Sequence, residues 1–201
     1  MPWAWVITIA ILIIDTVISI WNSYAAGIIS RASRRLGILF YVLGGLVPMT
    51  YVTSIVLSTL LVMFKVVSYT AVDLLLNFDF VVFGAAIIVW GVIATSTSII
   101  VAVGARDWRA GLVSAYNIGA LFYDTWDYLS NVGDAIANMV SNLTRDEDNL
   151  IVMLIALLAI ALTIGLVITY AAYRAGRKRA LQYRDSTIVN DPTTQPHVSR
   201  E

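Results

Sequence analysis

Cysteine is absent from the 201 residues, and histidine occurs once, as His197 near the C-terminus. Disulfides, thiolate metal sites, haem held by His and catalysis by Cys or His are therefore excluded. Charge is scarce as well. Only 13% of residues are charged, and thirteen basic side chains cancel thirteen acidic ones, so the basic surplus expected of a nucleic-acid binder is missing. No phosphate-cradling glycine loop, zinc-ligand spacing or nucleophile elbow occurs. Carboxylate, amide and hydroxyl chemistry remains, and the expectation is a non-enzymatic protein with no cofactor, no metal and no nucleic-acid partner.

What the chain has in excess is apolar side chains, 59% of the total, against the roughly 45 to 50% of a soluble domain. Mean hydropathy is +0.81, which places the chain in a bilayer. Crossing a hydrocarbon core of about 30 Å takes roughly 20 mostly apolar residues. Four segments qualify at once: 3–21 with Trp3 and Trp21 at its ends, 36–64, 80–104 and 149–173. The second is long enough to tilt or bend, and Gly44, Gly45 and Pro48 supply a hinge by weakening the backbone ladder.

Basic residues set orientation, because Lys and Arg flanking short loops prefer the cytoplasmic side. They cluster after the first segment (Arg31, Arg34, Arg35), after the third (Arg106, Arg109) and after the last (Arg174, Arg177, Lys178, Arg179, Arg184). Acidic residues alternate with them, Asp73 and Asp79 before the third segment and Asp134, Asp146, Glu147 and Asp148 before the last. All three basic clusters can face inside only if the chain crosses once more between Arg106 and Asp148. Residues 110–130 are the candidate, although a central Asp costs about 2.5 to 3.5 kcal/mol and each Leu, Ile, Phe or Val returns only about 0.3 to 0.6. That helix needs protein neighbours. Residues 109–143 lying flat in the interface, or a re-entrant Gly-Pro region, are the alternatives. The expected fold is all-α: a polytopic helical membrane bundle of five transmembrane helices within residues 1–184, N-terminus out and C-terminus in. Residues 185–201 read as a disordered cytoplasmic tail. The first segment reads as a retained span, since no basic residue precedes it and Asp15 interrupts it.

Polar residues recur at helical spacing inside the spans. Thr8, Asp15, Ser19 and Asn22 share one side of the first, and Tyr51, Ser54, Ser58 and Lys65 form a stripe on the second. Thr95 and Ser98 lie on the third, and Asn117, Asp124, Asn131 and Asn138 recur every seven residues on the candidate fourth. Hydrocarbon offers such groups no partner, so the stripes should meet one another or a wet cavity. Asp15 and Asp124 then sit at membrane depth without a basic partner, each keeping a proton or holding a cation, with Ser19, Asn22 and Asn117 as shell. An interhelical hydrogen bond, such as protonated Asp15 to Asn117 or a serine, is the plainer use. Gly84, Gly91, Thr95, Ser98 and Ala102 on the third span, and Ala156, Ala159 and Thr163 on the last, offer small faces for close helix packing.

The Tyr123–Asp124 and Gly133–Asp134 pairs fail as an intramembrane aspartyl protease site. Asn131 stands where the second motif needs glycine, and both acids fall on one helix rather than on two that face each other. Asn142, Leu143 and Thr144 match an N-glycosylation acceptor in the loop expected outside. Taken together, these features point first to a structural or accessory subunit of a larger membrane assembly, as a homo-oligomer or with other membrane subunits. A small cation- or proton-linked channel or transporter using the intramembrane aspartates is the alternative.

Overall fold

The computed structural model describes residues 2–106, 108–144 and 150–189. Its elements are α1 (Pro2–Ala32), α2 (Arg34–Tyr41), a π-helical segment (Val42–Leu46), α3 (Val47–Met63), α4 (Tyr69–Ala105), α5 (Trp108–Leu143) and α6 (Leu150–Val189). Because α2, the π segment and α3 follow one another without a break, the described residues form five rods. Four are long and apolar enough to cross a membrane, over Thr8–Ala32, Arg34–Met63, Tyr69–Gly104 and Leu150–Gln182. The fifth, α5, falls short on apolarity.

Element ends differ from the sequence expectation for local reasons. Ser33 alone separates α1 from α2; its backbone is extended and its hydroxyl accepts from the Leu36 N–H, a helix N-cap. Ser68 does the same for α4 by accepting from the Ala71 N–H at 3.3 Å. Asp73 and Asp79, expected in an outside loop, therefore lie within a helix that starts at Tyr69. Residues 69–79 contain no Gly or Pro, so their acids lower hydropathy without breaking the helix. At the C-terminus α6 stays helical through Val189, beyond the Asp185 boundary expected for the tail. Residues 190–201 and the acids Asp146, Glu147 and Asp148 lie outside the described residues.

Contacts fix the direction of each rod. Ser30 packs at Gly37 while Asn22 reaches Gly44, so α1 and α2–α3 are antiparallel. Phe40 and Gly44 meet Trp90 while Ser54 meets Asp79, which makes α4 antiparallel to α2–α3. Along α4, Asp73 meets Asn142, Gly84 meets Tyr128, Gly91 meets Leu121 and Ser98 meets Asn117. Hence α5 runs back beside α4 over nearly its whole length. Tyr41 meets Thr169 and Thr50 meets Gly165, so α6 also opposes α2–α3. The rods α1, α4 and α6 point one way, α2–α3 and α5 the other, and the Arg-rich ends of α1, α4 and α6 gather at one end of the bundle. At the other, Ala71, Leu74 and Leu150 form a buried cluster with Met139, Met153 and Leu154.

Polarity is distributed opposite to that of a soluble bundle. Ser19, Ser23, Thr50, Ser54, Ser58 and Thr169 are at most 1% exposed, while Ile100, Val103, Phe122 and Val167 are each at least 64% exposed. An apolar exterior of this extent needs lipid or protein against it. Small interior residues let backbones approach. At the α1–α6 crossing, Gly27 lies against the Tyr173 carbonyl and Gly176 against the Tyr24 carbonyl, so a Cβ at either would strike backbone. The small face expected on the last span at Ala156, Ala159 and Thr163 is instead exposed, and Leu157, Ala161, Gly165, Thr169 and Gly176 are buried. The face expected on the third span does pack, against α5.

Candidate functional site

The hinge residues occupy the π segment and its exit. Pro48 has no N–H, and in an α-helix that N–H would bond the carbonyl four residues back, at Gly44. Asn22 on α1 takes its place: Nδ2 donates to the Gly44 carbonyl oxygen at 2.9 Å. The ladder shifts register here, with the Val47 N–H bonding Val42, a wider turn of the kind that π segments provide. Gly44 and Gly45 are buried, Gly44 under the Trp90 ring and Gly45 against the Ser23 hydroxyl. The two glycines therefore sit where α1 and α4 close on the π segment.

The other expected shell residues are likewise bonded to helices. Ser19 Oγ donates to the Asp15 carbonyl of its own helix at 2.7 Å. Asn117 Nδ2 donates to Ser98 Oγ at 3.2 Å, joining α5 to α4. None of the three bonds described for Ser19, Asn22 and Asn117 ends on the carboxylate of Asp15 or Asp124. The two carboxylates themselves are half-buried and lie within electrostatic reach of each other. Tyr51 of α3 stands within reach of both, and of Asp79 and Asp127 as well.

Tyr51 also lines a groove of about 540 Å³ among α3, α4 and α5. Its walls carry Asp73, Asn77, Asp127, Asn131, Asp134 and Asn138. Two members of the Asn/Asp seven-residue repeat, Asn131 and Asn138, thus face this groove rather than α4. The α5 face that packs on α4 is offset from that repeat and includes Leu121, Tyr128 and Asn142. At the far end, the Asn142 amide is buried and donates to Asp73 Oδ2 at 2.7 Å. The same nitrogen is the one a glycan would need, so the folded chain does not present this acceptor.

The side chain that sequence reasoning passed over is Asp79. It is wholly buried, and so are Ser54 and, to within 1%, Ser58, one turn apart on α3. Ser54 lies close enough to interact with the carboxylate, yet Asp79 Oδ1, Asp79 Oδ2, Ser54 Oγ and Ser58 Oγ all lack a partner of hydrogen-bond geometry. A buried carboxylate accepts up to about four hydrogen bonds and is costly to leave without them. A trace of this site was in the sequence: the Ser54/Ser58 stripe had no assigned partner, and Val72, Leu75 and Asp79 follow the 3–4 spacing of a buried helix face. Among the described residues no group of three or more His, Cys, Asp or Glu could hold a metal ion.

No protein-family model, curated protein or solved structure matches the chain. Its class rests on its own features: the described residues are all-helical in their regular structure, and four of their helices are long and apolar enough to cross a membrane.

Proposed function

We propose that the chain is a non-enzymatic integral membrane protein of five crossings, N-terminus out and C-terminus in, acting as a small cation- or proton-linked channel or transporter. The observation that carries this reading is the gathering of Asp15, Asp79, Asp124 and Asp127 around Tyr51, where no basic residue falls within a span centre. Uncompensated acids at membrane depth are expensive and mark ion or proton paths. The groove beside them supplies carboxylates, amides and the Tyr51 hydroxyl, a lining suited to a partly hydrated cation and poorly suited to an anion or an apolar solute.

The subunit reading keeps one specific support. Phe122, Tyr123, Trp126 and Leu129 on the outer face of α5 are at least 68% exposed, a surface compatible with a partner helix as well as with lipid. Ion flux separates the two. In proteoliposomes holding the purified full chain, the wild type should dissipate an imposed proton or sodium gradient, and Asp124→Asn, nearly isosteric, should reduce that flux by at least about tenfold with unchanged helix content. Wild-type liposomes no leakier than empty ones would defeat the transport reading in favour of the subunit one.

A further inference from the structure

We infer that Asp79, Ser54 and Ser58 form a binding site for one dehydrated monovalent cation of the sodium class. The proposal deepens the ion-linked reading above and rests on it. Three features converge on the site. Asp79 is wholly buried with both carboxylate oxygens unpartnered. Ser54 and Ser58, on the helix facing it, are equally buried and equally unpartnered. This is a departure from the chain's habit: Thr16, Ser19, Ser23, Thr50, Thr53 and Thr169 each donate to the carbonyl four residues back at 2.7 to 2.8 Å, the usual way a helix absorbs a hydroxyl in lipid. Ser54, which meets Asp79, and Ser58, one turn further along α3, leave that bond unmade, and their oxygens remain available as ligands.

Charge and donor type narrow the occupant. One carboxylate neutralises one positive charge, whereas a divalent ion would keep a net charge in a low-dielectric interior. Oxygen donors without nitrogen or sulfur suit a hard ion. Tyr51 provides the approach, since it lines the acidic groove and lies within electrostatic reach of Asp79 as well as of Asp127 on the groove wall. The acids of the groove concentrate cations at its mouth, and Asp79 holds one that has shed its water.

The test uses the purified full chain in detergent, with NaCl compared against choline chloride at equal ionic strength. Sodium should raise the melting temperature saturably, as a ligand that binds only the folded state does, and calorimetric titration with NaCl should give one site. Ser54→Ala with Ser58→Ala, which removes two oxygens and little volume, should weaken binding by at least about tenfold. Asp79→Asn should abolish it, while Thr163→Ala on the exposed face of α6, away from the groove, should change it by no more than about twofold. If Asp79→Asn does not fold, the serine pair carries the test alone. A wild type that melts identically in sodium and choline, or serine variants that bind sodium like the wild type, overturns the site. Binding without flux in proteoliposomes leaves the site standing and removes transport; flux in wild type that survives in the serine variants, with no sodium response, does the reverse.

Discussion

A proline inside a buried helix withdraws one amide donor, and something must serve the carbonyl it abandons. Here the substitute comes from a different rod: Asn22 of α1 donates to the Gly44 carbonyl that an N–H at position 48 would have taken. The two residues should therefore be coupled. Asn22→Ala strands a buried carbonyl and should cost about 1 kcal/mol or somewhat more. Pro48→Ala restores an amide, so in that background the same Asn22→Ala change should cost about 1 kcal/mol less. Reversible unfolding of the four proteins in mixed micelles gives the cycle directly; simple additivity would mean that the carbonyl has another donor. The sequence made both ends of this interaction visible, Asn22 as a polar residue within a span and Pro48 as a hinge, but assigned Asn22 to an ion shell. Side-chain spacing reports which face a residue is on; it carries no record of which neighbouring backbone lies opposite.

Elements approach one another where side chains are small, and the closest approach joins α1 to α6. Gly27 and Gly176 each face the other helix's carbonyl oxygen, so a methyl group at either position must push two backbones apart. Gly27→Ala and Gly176→Ala should each destabilise by about 1 to 3 kcal/mol, seen as a lower melting temperature in detergent, whereas Gly119→Ala on the open face of α5, with nothing within 4 Å, should be neutral or slightly stabilising. Wild-type stability in the Gly176→Ala protein would show that the crossing gives way without cost. The same comparison explains why one small face was legible and the other was not. On α4, Gly84 and Gly91 lie seven residues apart on one face, which Thr95 and Ser98 continue, and that glycine spacing marks the face. On α6, small residues occur all round a helix that is apolar on every side, so Ala156, Ala159 and Thr163 looked as suitable as Ala161, Gly165 and Thr169. Only the placement of α1 and α3 breaks that tie.

The whole molecule depends on where α5 runs, because it is the rod whose own hydropathy would not carry it through lipid. Charge parity along the sequence leads to the expectation of a crossing there; in the bundle α6 opposes α2–α3, so the Arg-rich ends of α1, α4 and α6 lie together. The grouping of the basic ends was legible, while the place of Asp79 was not, because a carboxylate next to a predicted loop looks like loop composition until helix continuity from Tyr69 carries it inward. The small face of α4 covers one side of α5, where Tyr128 Oη donates to the Val81 carbonyl at 3.1 Å and Asn117 and Asn142 find partners, and such cover lowers the cost of placing a polar helix in a membrane. The absence of cysteine makes the arrangement directly measurable. In right-side-out vesicles, a cysteine at Thr144 and another at Ser68 should both react with a membrane-impermeant maleimide added outside, whereas one at Gly104 should react only after the vesicles are opened. A helix lying flat at the interface would place the Gly104 and Thr144 sites on one face, and labelling of both from the same side would reduce the crossings to four and return the chain's two ends to the same compartment.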